Sequence, residues 1–372
     1  MAYQFNGNKS HTLGVEIELQ IVDSKTLALS NSVQQILDRV PQKWVDKIKT
    51  ELMQNCCEIN TDVCESIKQV EPDLSEKLKW TQLTANEIGL KLVWGGTHPF
   101  SSWQEQKYST GNRYDWLSKA MRDISRRVVV FGLHVHVGVD SGDKAIQLCD
   151  RLLRHIPSLL ALSANSPMFN SRDTGLASYR SNILDSLPTA GLPVQMRNWS
   201  EYVWLVDHLC TTGFIKSIRE IWWDVRPHHE FGTVELRIMD MPMNMKHLLG
   251  LVALTQCLVA AISQQIDKGA YLYDCHPMIA KQNKWHASRY GMDAMFVDPD
   301  TMQAVPARQT VHRLMQRCIP FAEKLGCEQE LKGLNDILDN GTGARLQREV
   351  FEKTQDMRQV VEFLIRQGPS NG

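Results

Sequence analysis

The sequence predicts an α+β fold in which an antiparallel sheet is backed by helices, and three observations point there. Four apolar, strand-like segments carry polar residues at even offsets. Segments with helical spacing of apolar residues lie between and after them. The connections between strands differ widely in length, without the regular strand–helix alternation of a doubly wound sheet. No low-complexity linker, internal repeat or long charge run divides the chain, so residues 1–372 read as one domain.

The first strand is Gly14–Gln20, GVEIELQ. Alternation sends Glu16 and Glu18 to one face and Val15, Ile17 and Leu19 to the other. Two like charges on one face repel and are costly to bury, so a cation is expected between them. Ser30–Val40 has helical spacing and stops at Pro41. Lys47–Asn60 reads as a second strand region bearing Glu51, Gln54 and Glu58, the last two on one face by their even offset. Asp62–Glu87 reads as a helix interrupted near Pro72. Leu90–Phe100 is a strand that breaks into a Gly95-Gly96 turn.

Asn112–Arg126 suggests another helix, and Arg127–Val139 is the most strand-like segment, with His134 and His136 alternating with apolar neighbours. Asp143–Ser163 reads as one long amphipathic helix. Asn165–Asn198 is rich in Pro and Gly and longer than ordinary connectors, which marks it as a binding loop or lid. The helix Trp199–Thr211 leads to Trp222–Pro227 and to the strand Phe231–Asp240, which bears Glu235 and Arg237. From Met245 the chain is mostly helical, apart from an irregular stretch, Tyr271–Pro306; beyond about residue 306 it reads as packing helices.

Lys plus Arg number 41 against 42 acidic residues, so no net field draws the chain to nucleic acid or to a membrane surface. No run approaches the roughly 18 apolar residues of a spanning helix, and the start lacks the apolar core of a secretory signal. A cytoplasmic protein is expected. Nine cysteines without a C-x-x-C fit neither a disulfide scaffold nor a zinc knuckle and read as small buried hydrophobes.

If the four strands lie side by side, one face collects Glu16, Glu18, Gln54, Glu58, His134, His136, Glu235 and Arg237. Oxygen ligands with one or two imidazoles suit Mg²⁺ or Mn²⁺ better than Zn²⁺. Taken singly, the histidines could be satisfied core residues and Glu235–Arg237 a structural ion pair; four such pairs on four apolar strands favour a metal site. No Walker or dinucleotide glycine motif is present, so a nucleotide would be held by metals and arginines. Arg180, Arg226 and Arg289 lie in loop-like contexts where they could clamp carboxylate or phosphate oxygens. Trp199, Trp222 and Trp223 read as packing residues rather than a base platform.

Together GVEIELQ, EIN (Glu58–Asn60), GGTHPF, FGLHVHVG, ASYRSNI, WDVRP, FGTVELRIMD and ASRYG resemble, in order from about Leu13 to Gly291, the bacterial carboxylate-amine ligases of the glutamate-cysteine ligase type 2 family. That family is similar in its sheet to glutamine synthetase. The resemblance implies a curved antiparallel sheet of about six strands forming a funnel, ATP, Mg²⁺ or Mn²⁺, glutamate as the carboxylate substrate and cysteine as the amine. It implies Glu16, Glu18, Glu58, His134 and Glu235 as metal ligands, with His136, Arg226 and Arg237 facing substrate or phosphate. Relatives often carry a glutamate where this chain has Gln54; either Glu51 substitutes or one metal site is weaker. Substrates are expected to be small molecules, and a symmetric homodimer is the commonest assembly of such proteins.

Amide formation from a carboxylate needs a leaving group, which phosphoryl transfer from ATP would supply as an acyl phosphate. Two alternatives stay open on the residues alone. One is a metal-dependent hydrolase using H-x-H, which would hold zinc without nucleotide. The other is a non-catalytic binding protein whose carboxylates keep a structural ion.

Overall fold

The computed structural model describes residues 3–8, 11–270 and 275–368. The beginning of the irregular stretch expected from Tyr271, and part of the N-terminal segment read as lacking a secretory signal, lie outside the described residues. A seven-stranded sheet forms the centre, made of β1 (Leu13–Asp23), β2 (Ile48–Thr50), β3 (Cys56–Asn60), β4 (Leu90–Val93), β5 (Gly132–Gly138), β6 (Val225–His228) and β7 (Thr233–Asp240). Its order is β6-β7-β5-β1-β3-β2, with β4 paired to the far end of β1, and every pairing is antiparallel. The expected sheet is thus present, with β4 as a strand beyond the six in line.

β1 organises the sheet because it is long enough to pair with three strands. Val15, Ile17, Leu19 and Ile21 on its apolar face are almost wholly buried, against the helices Ile67–Glu87 and Met245–Asp267 that pack behind the sheet. Met245–Asp267 is long and apolar enough to cross a membrane by length and composition, which the sequence reading had denied to every segment. Most of it is buried inside the protein, with the sheet on one side and the helices Ala307–Leu325 and Glu328–Lys332 on another, so its apolarity is that of a core helix.

Several boundaries differ from the sequence reading for local reasons. Lys47–Asn60 folds as a hairpin, β2 and β3, so Glu51 and Gln54 sit in the connection rather than on a strand. The helix Ile67–Glu87 runs through Pro72, whose missing N–H deprives only the carbonyl of Lys68, an exposed residue of the first turn. Asp143–Ser163 breaks into Gly142–Leu152 and Ile156–Ser163, the second with Pro157 in its first turn. Asn112–Arg126 breaks at Arg122, which has φ 51°. Within the loop-rich stretch lies the helix Tyr179–Leu184, and ASRYG ends the helix Pro277–Tyr290. The Gly95-Gly96 segment is a close approach and not a phosphate cradle: Gln20 donates to the carbonyls of Gly95 and Thr97, and a Cβ on Gly96 would lie 2.8 Å from the Asp240 carboxyl.

Candidate active site

The registers place the polar residues of neighbouring strands opposite one another: Glu16 faces His134, Glu18 faces Glu58, Glu235 faces His136 and Arg226 faces Glu235. Because alternation is fixed on each strand, these side chains share one face of the sheet. Glu16 lies at the centre, 3.2 Å from His134 Nδ1 and 3.2 Å from His136 Nε2. Burial raises its pKa, but the two imidazoles outweigh that and hold the carboxyl well below its ordinary value. Burial also opposes ionisation of Glu235, yet Arg226, Arg237 and His136 keep it well below the usual range.

Two groups of ligand atoms emerge, each with its atoms within 4.8 Å of one another: Glu16, His136 and Glu235, and Glu18, Glu51 and Glu58. Their chemistry fits divalent cations. In the second group burial, then the charges of Glu16 and Glu51, push the Glu58 pKa well above normal, the strain of three crowded carboxylates that a divalent cation would relieve. In the first, His136 Nδ1 lies 3.0 Å from the Thr233 hydroxyl, which leaves Nε2 facing the carboxylates. The grouping draws in His136, where the resemblance had pointed to His134; His134 instead spans Glu16 and Glu18, with Nε2 3.8 Å from Glu18. Glu51 joins the acidic group while Gln54 turns away and donates to the Tyr108 carbonyl, 2.9 Å off.

The arginines divide. Arg226 holds Glu235 through Nε at 2.7 Å and also donates to the Ile221 carbonyl. Arg237 pairs with Glu235 from the same strand and lies at a bulge, where β7 spends one residue more than β5 between Leu236 and Met239. Arg180 reaches the same bulge from the helix Tyr179–Leu184, donating to the carbonyls of Arg237 and Ile238 at 3.1 and 3.2 Å. A Cβ on Gly132 would lie 2.1 Å from its guanidinium, so glycine is required there. Arg180 Nε is buried without a partner among the described residues, and burial lowers its pKa. Arg289 is elsewhere, bonded to the Gly175 carbonyl and lying over the Tyr290 ring.

A cleft partly open to solvent leads away from Glu18, Glu51, His134, Arg180 and Arg237. Residues not singled out in the sequence also line it: Arg113, Tyr114 and Asp224. Trp223 and Trp199 do pack in a side core around Tyr202, as expected, whereas Trp222 reaches the cleft. Asp224 is buried beside Lys284 at 2.7 Å, and only the dyad W-D in WDVRP hinted at it.

The profile of glutamate-cysteine ligase family 2 matches residues 12–367. A Rubrobacter xylanophilus protein named "Putative glutamate--cysteine ligase 2-1" is 41% identical over 361 residues, covering 96% of this chain and 95% of that protein. A Thermobifida fusca relative named to the same activity is 38% identical over 371 residues, 99% of this chain and 93% of its own. Among solved structures, glutamate-cysteine ligase from Francisella tularensis in complex with AMP superposes with TM-score 0.73 over 98% of this chain and 90% of that one, at 12% identity. A bifunctional glutathione synthetase from Pasteurella multocida gives TM-score 0.70 over 96% of this chain and 52% of that one, at 16% identity. These two likenesses establish the fold. By class the chain is an ATP-dependent ligase, and it belongs to glutamate-cysteine ligase family 2.

Proposed function

We propose that this protein forms an amide between the side-chain carboxylate of glutamate and an amine, through an acyl phosphate made from ATP, with cysteine as the amine that the relatives' names suggest. The observation that carries the reading is the convergence of Glu18, Glu51, Arg180 and Arg237 at the head of one cleft, with the second group, Glu16, His136 and Glu235, on the same sheet. Divalent cations, Mg²⁺ or Mn²⁺, held by Glu16, His136 and Glu235 and by Glu18, Glu51 and Glu58 would supply positive charge toward phosphate and carboxylate oxygens.

The protein's own groups do the rest by position and charge. Arg237, fixed by Glu235 and aimed by the bulge, faces the charge that develops on the transferred phosphoryl group. Arg180, with an unbonded Nε, offers a donor to the carboxylate substrate. Arg226 orients Glu235 rather than the substrate. No protein nucleophile is needed, and the buried cysteines, whose pKa values at Cys56 and Cys57 are raised by burial, are poor candidates for one. The reading carries with it small-molecule substrates, a cytoplasmic location, action of the whole chain as one catalytic unit and a homodimer in solution.

Hydroxylamine tests the reaction class. With glutamate, ATP and Mg²⁺ it should intercept the acyl phosphate as a hydroxamate, and glutamate labelled with ¹⁸O in its side chain should pass one oxygen to the released phosphate. Amide synthesis with unlabelled phosphate would exclude this route.

A further inference from the structure

A second concave region lies where the helices Gly142–Leu152, Ile156–Ser163, Met245–Asp267 and Ala307–Leu325 meet. It consists of two adjoining hollows that share Arg154, His155, Leu314 and Arg317, and no residue of either lines the catalytic cleft. The first hollow adds Arg151, and among the described residues no carboxylate lines it. The second adds Arg313, Asp298 and Asp300. Four arginines against two aspartates leave two positive charges in excess. Arg154 donates to Asp300 at 2.5 Å, whereas Asp298 accepts from the N–H groups of Asp300 and Thr301 and reaches Arg313 only at 4.0 Å. Nη1 of Arg151 is buried with no hydrogen-bond partner among the described residues, an arrangement that calls for an acceptor from outside. Burial, then the charges of Arg154 and Arg317, push the His155 pKa down to about 3, so its ring stays neutral and the guanidinium groups carry the excess. Nor do these cations serve their own helix: Arg313 and Arg317 stand four residues apart on Ala307–Leu325, where like charges repel. Leu258, Ile262 and Phe321 give the first hollow an apolar side.

We propose that this region is a second ligand site, separate from the catalytic cleft, for the dianion of an organic phosphate. The phosphoryl group of such a monoester meets Arg151, Arg154 and Arg317, and its body lies on Leu258, Ile262 and Phe321. A phosphate dianion matches the two excess charges, and guanidinium forks donate to its oxygens in pairs. A monocarboxylate would leave one cation unmatched, and bare phosphate would leave the apolar side in water. Both carboxylate groups suited to divalent cations lie at the sheet, so the ester is held here without Mg²⁺.

Titration calorimetry on the full-length protein in EDTA, with phenyl phosphate, inorganic phosphate and benzoate at about pH 8, tests the proposal. Phenyl phosphate, a dianion there, is expected to bind at least about fivefold more tightly than inorganic phosphate, which lacks the ring. It should bind at least about tenfold more tightly than benzoate, which carries a single charge. Arg317→Gln, at an exposed position that the fold tolerates, and Arg151→Gln should each lower the affinity for phenyl phosphate about tenfold. Arg237→Lys, in the catalytic cleft, should leave it unchanged. None of these readouts requires turnover, so they stand apart from the ligase reading. Loss of binding in Arg237→Lys but not in Arg317→Gln would put the ester in the catalytic cleft and overturn the proposal. Equal affinity for the three anions, or no binding at all, overturns it too. So does a change of sedimentation coefficient in the two arginine variants with the affinity intact, which would give these arginines to a contact between subunits.

Discussion

The guanidinium of Arg180 donates to the backbone carbonyl of Arg237 across 3.1 Å, so one arginine of the cleft secures the strand bulge that aims the other. Bulges leave backbone groups without ladder partners, and a planar fork that reaches two successive carbonyls satisfies them together.

Arg237→Lys is therefore expected to lower kcat by about 10²–10³ with a smaller change in the KM for ATP, the range seen when one donor to developing charge is lost. Arg180→Lys removes the fork from the bulge and is expected to lose activity in part through Arg237. The double variant should then lose less than the product of the two single losses. Steady-state kinetics on the three proteins checks this, and strictly multiplicative effects would show that the bulge does not couple them.

The hydrogen bond that His136 Nδ1–H donates to the Thr233 hydroxyl when Nε2 serves as a ligand predicts a role in metal affinity. Thr233→Val, near-isosteric, should weaken Mn²⁺ binding about 10–100-fold, the usual effect of removing an outer partner of a ligand. Titration calorimetry with Mn²⁺ alone reads this without turnover. Unchanged affinity would place His136 outside the metal ligands.

Glu51 and Gln54 should behave differently. Glu51→Gln removes one carboxylate from a buried group of three and is expected to abolish ATP-dependent activity while raising the melting temperature of the metal-free protein, since a repulsive neighbour of Glu58 is gone. Gln54→Ala should cost activity only a few-fold, as its amide serves the Tyr108 carbonyl. Thermal melts with and without Mg²⁺, beside the activities, decide it; equal losses in both variants would return Gln54 to the site.

Acid stability should depend on His98. It is buried, its Nε2 lies 2.9 Å from the Leu27 carbonyl, and its Nδ1 accepts from the Ser101 N–H at 3.0 Å, an arrangement that fixes the neutral ring. Burial pushes its pKa down to about 4, only partly opposed by the Leu27 contact. Since the folded value lies below the unfolded one of about 6.5, the neutral ring's contribution is complete above that pH and is lost as pH falls through the folded value. The loss amounts to about 3 kcal/mol at most. Urea unfolding at several pH values between 7 and 4 should show a shallower fall for His98→Gln than for the native chain; parallel slopes would refute the assignment.

What the sequence determined by itself was the chemistry of one sheet face. Strand alternation has a period of two and needs no tertiary information, so Glu16 with Glu18, His134 with His136 and Glu235 with Arg237 were each assigned to a common face before any strand was paired. Apolar neighbours marked these strands as central, and family motifs supplied their likeness. What only the tertiary structure decided was everything that depends on a turn or a long connection. The hairpin of β2 and β3 brings Glu51 to Glu58 and turns Gln54 outward, because the connection between two short strands and not the parity of residue numbers sets those directions. Arg180 reaches the bulge and Arg289 ends at Gly175 because the stretch carrying Ser166, Gly175 and Ser178 folds back over the sheet end at Asp240, whose carboxylate accepts from Ser166 and Ser178 at 2.6 and 2.8 Å. Closing such loops is governed by contacts far apart in the chain, and no local periodicity records them.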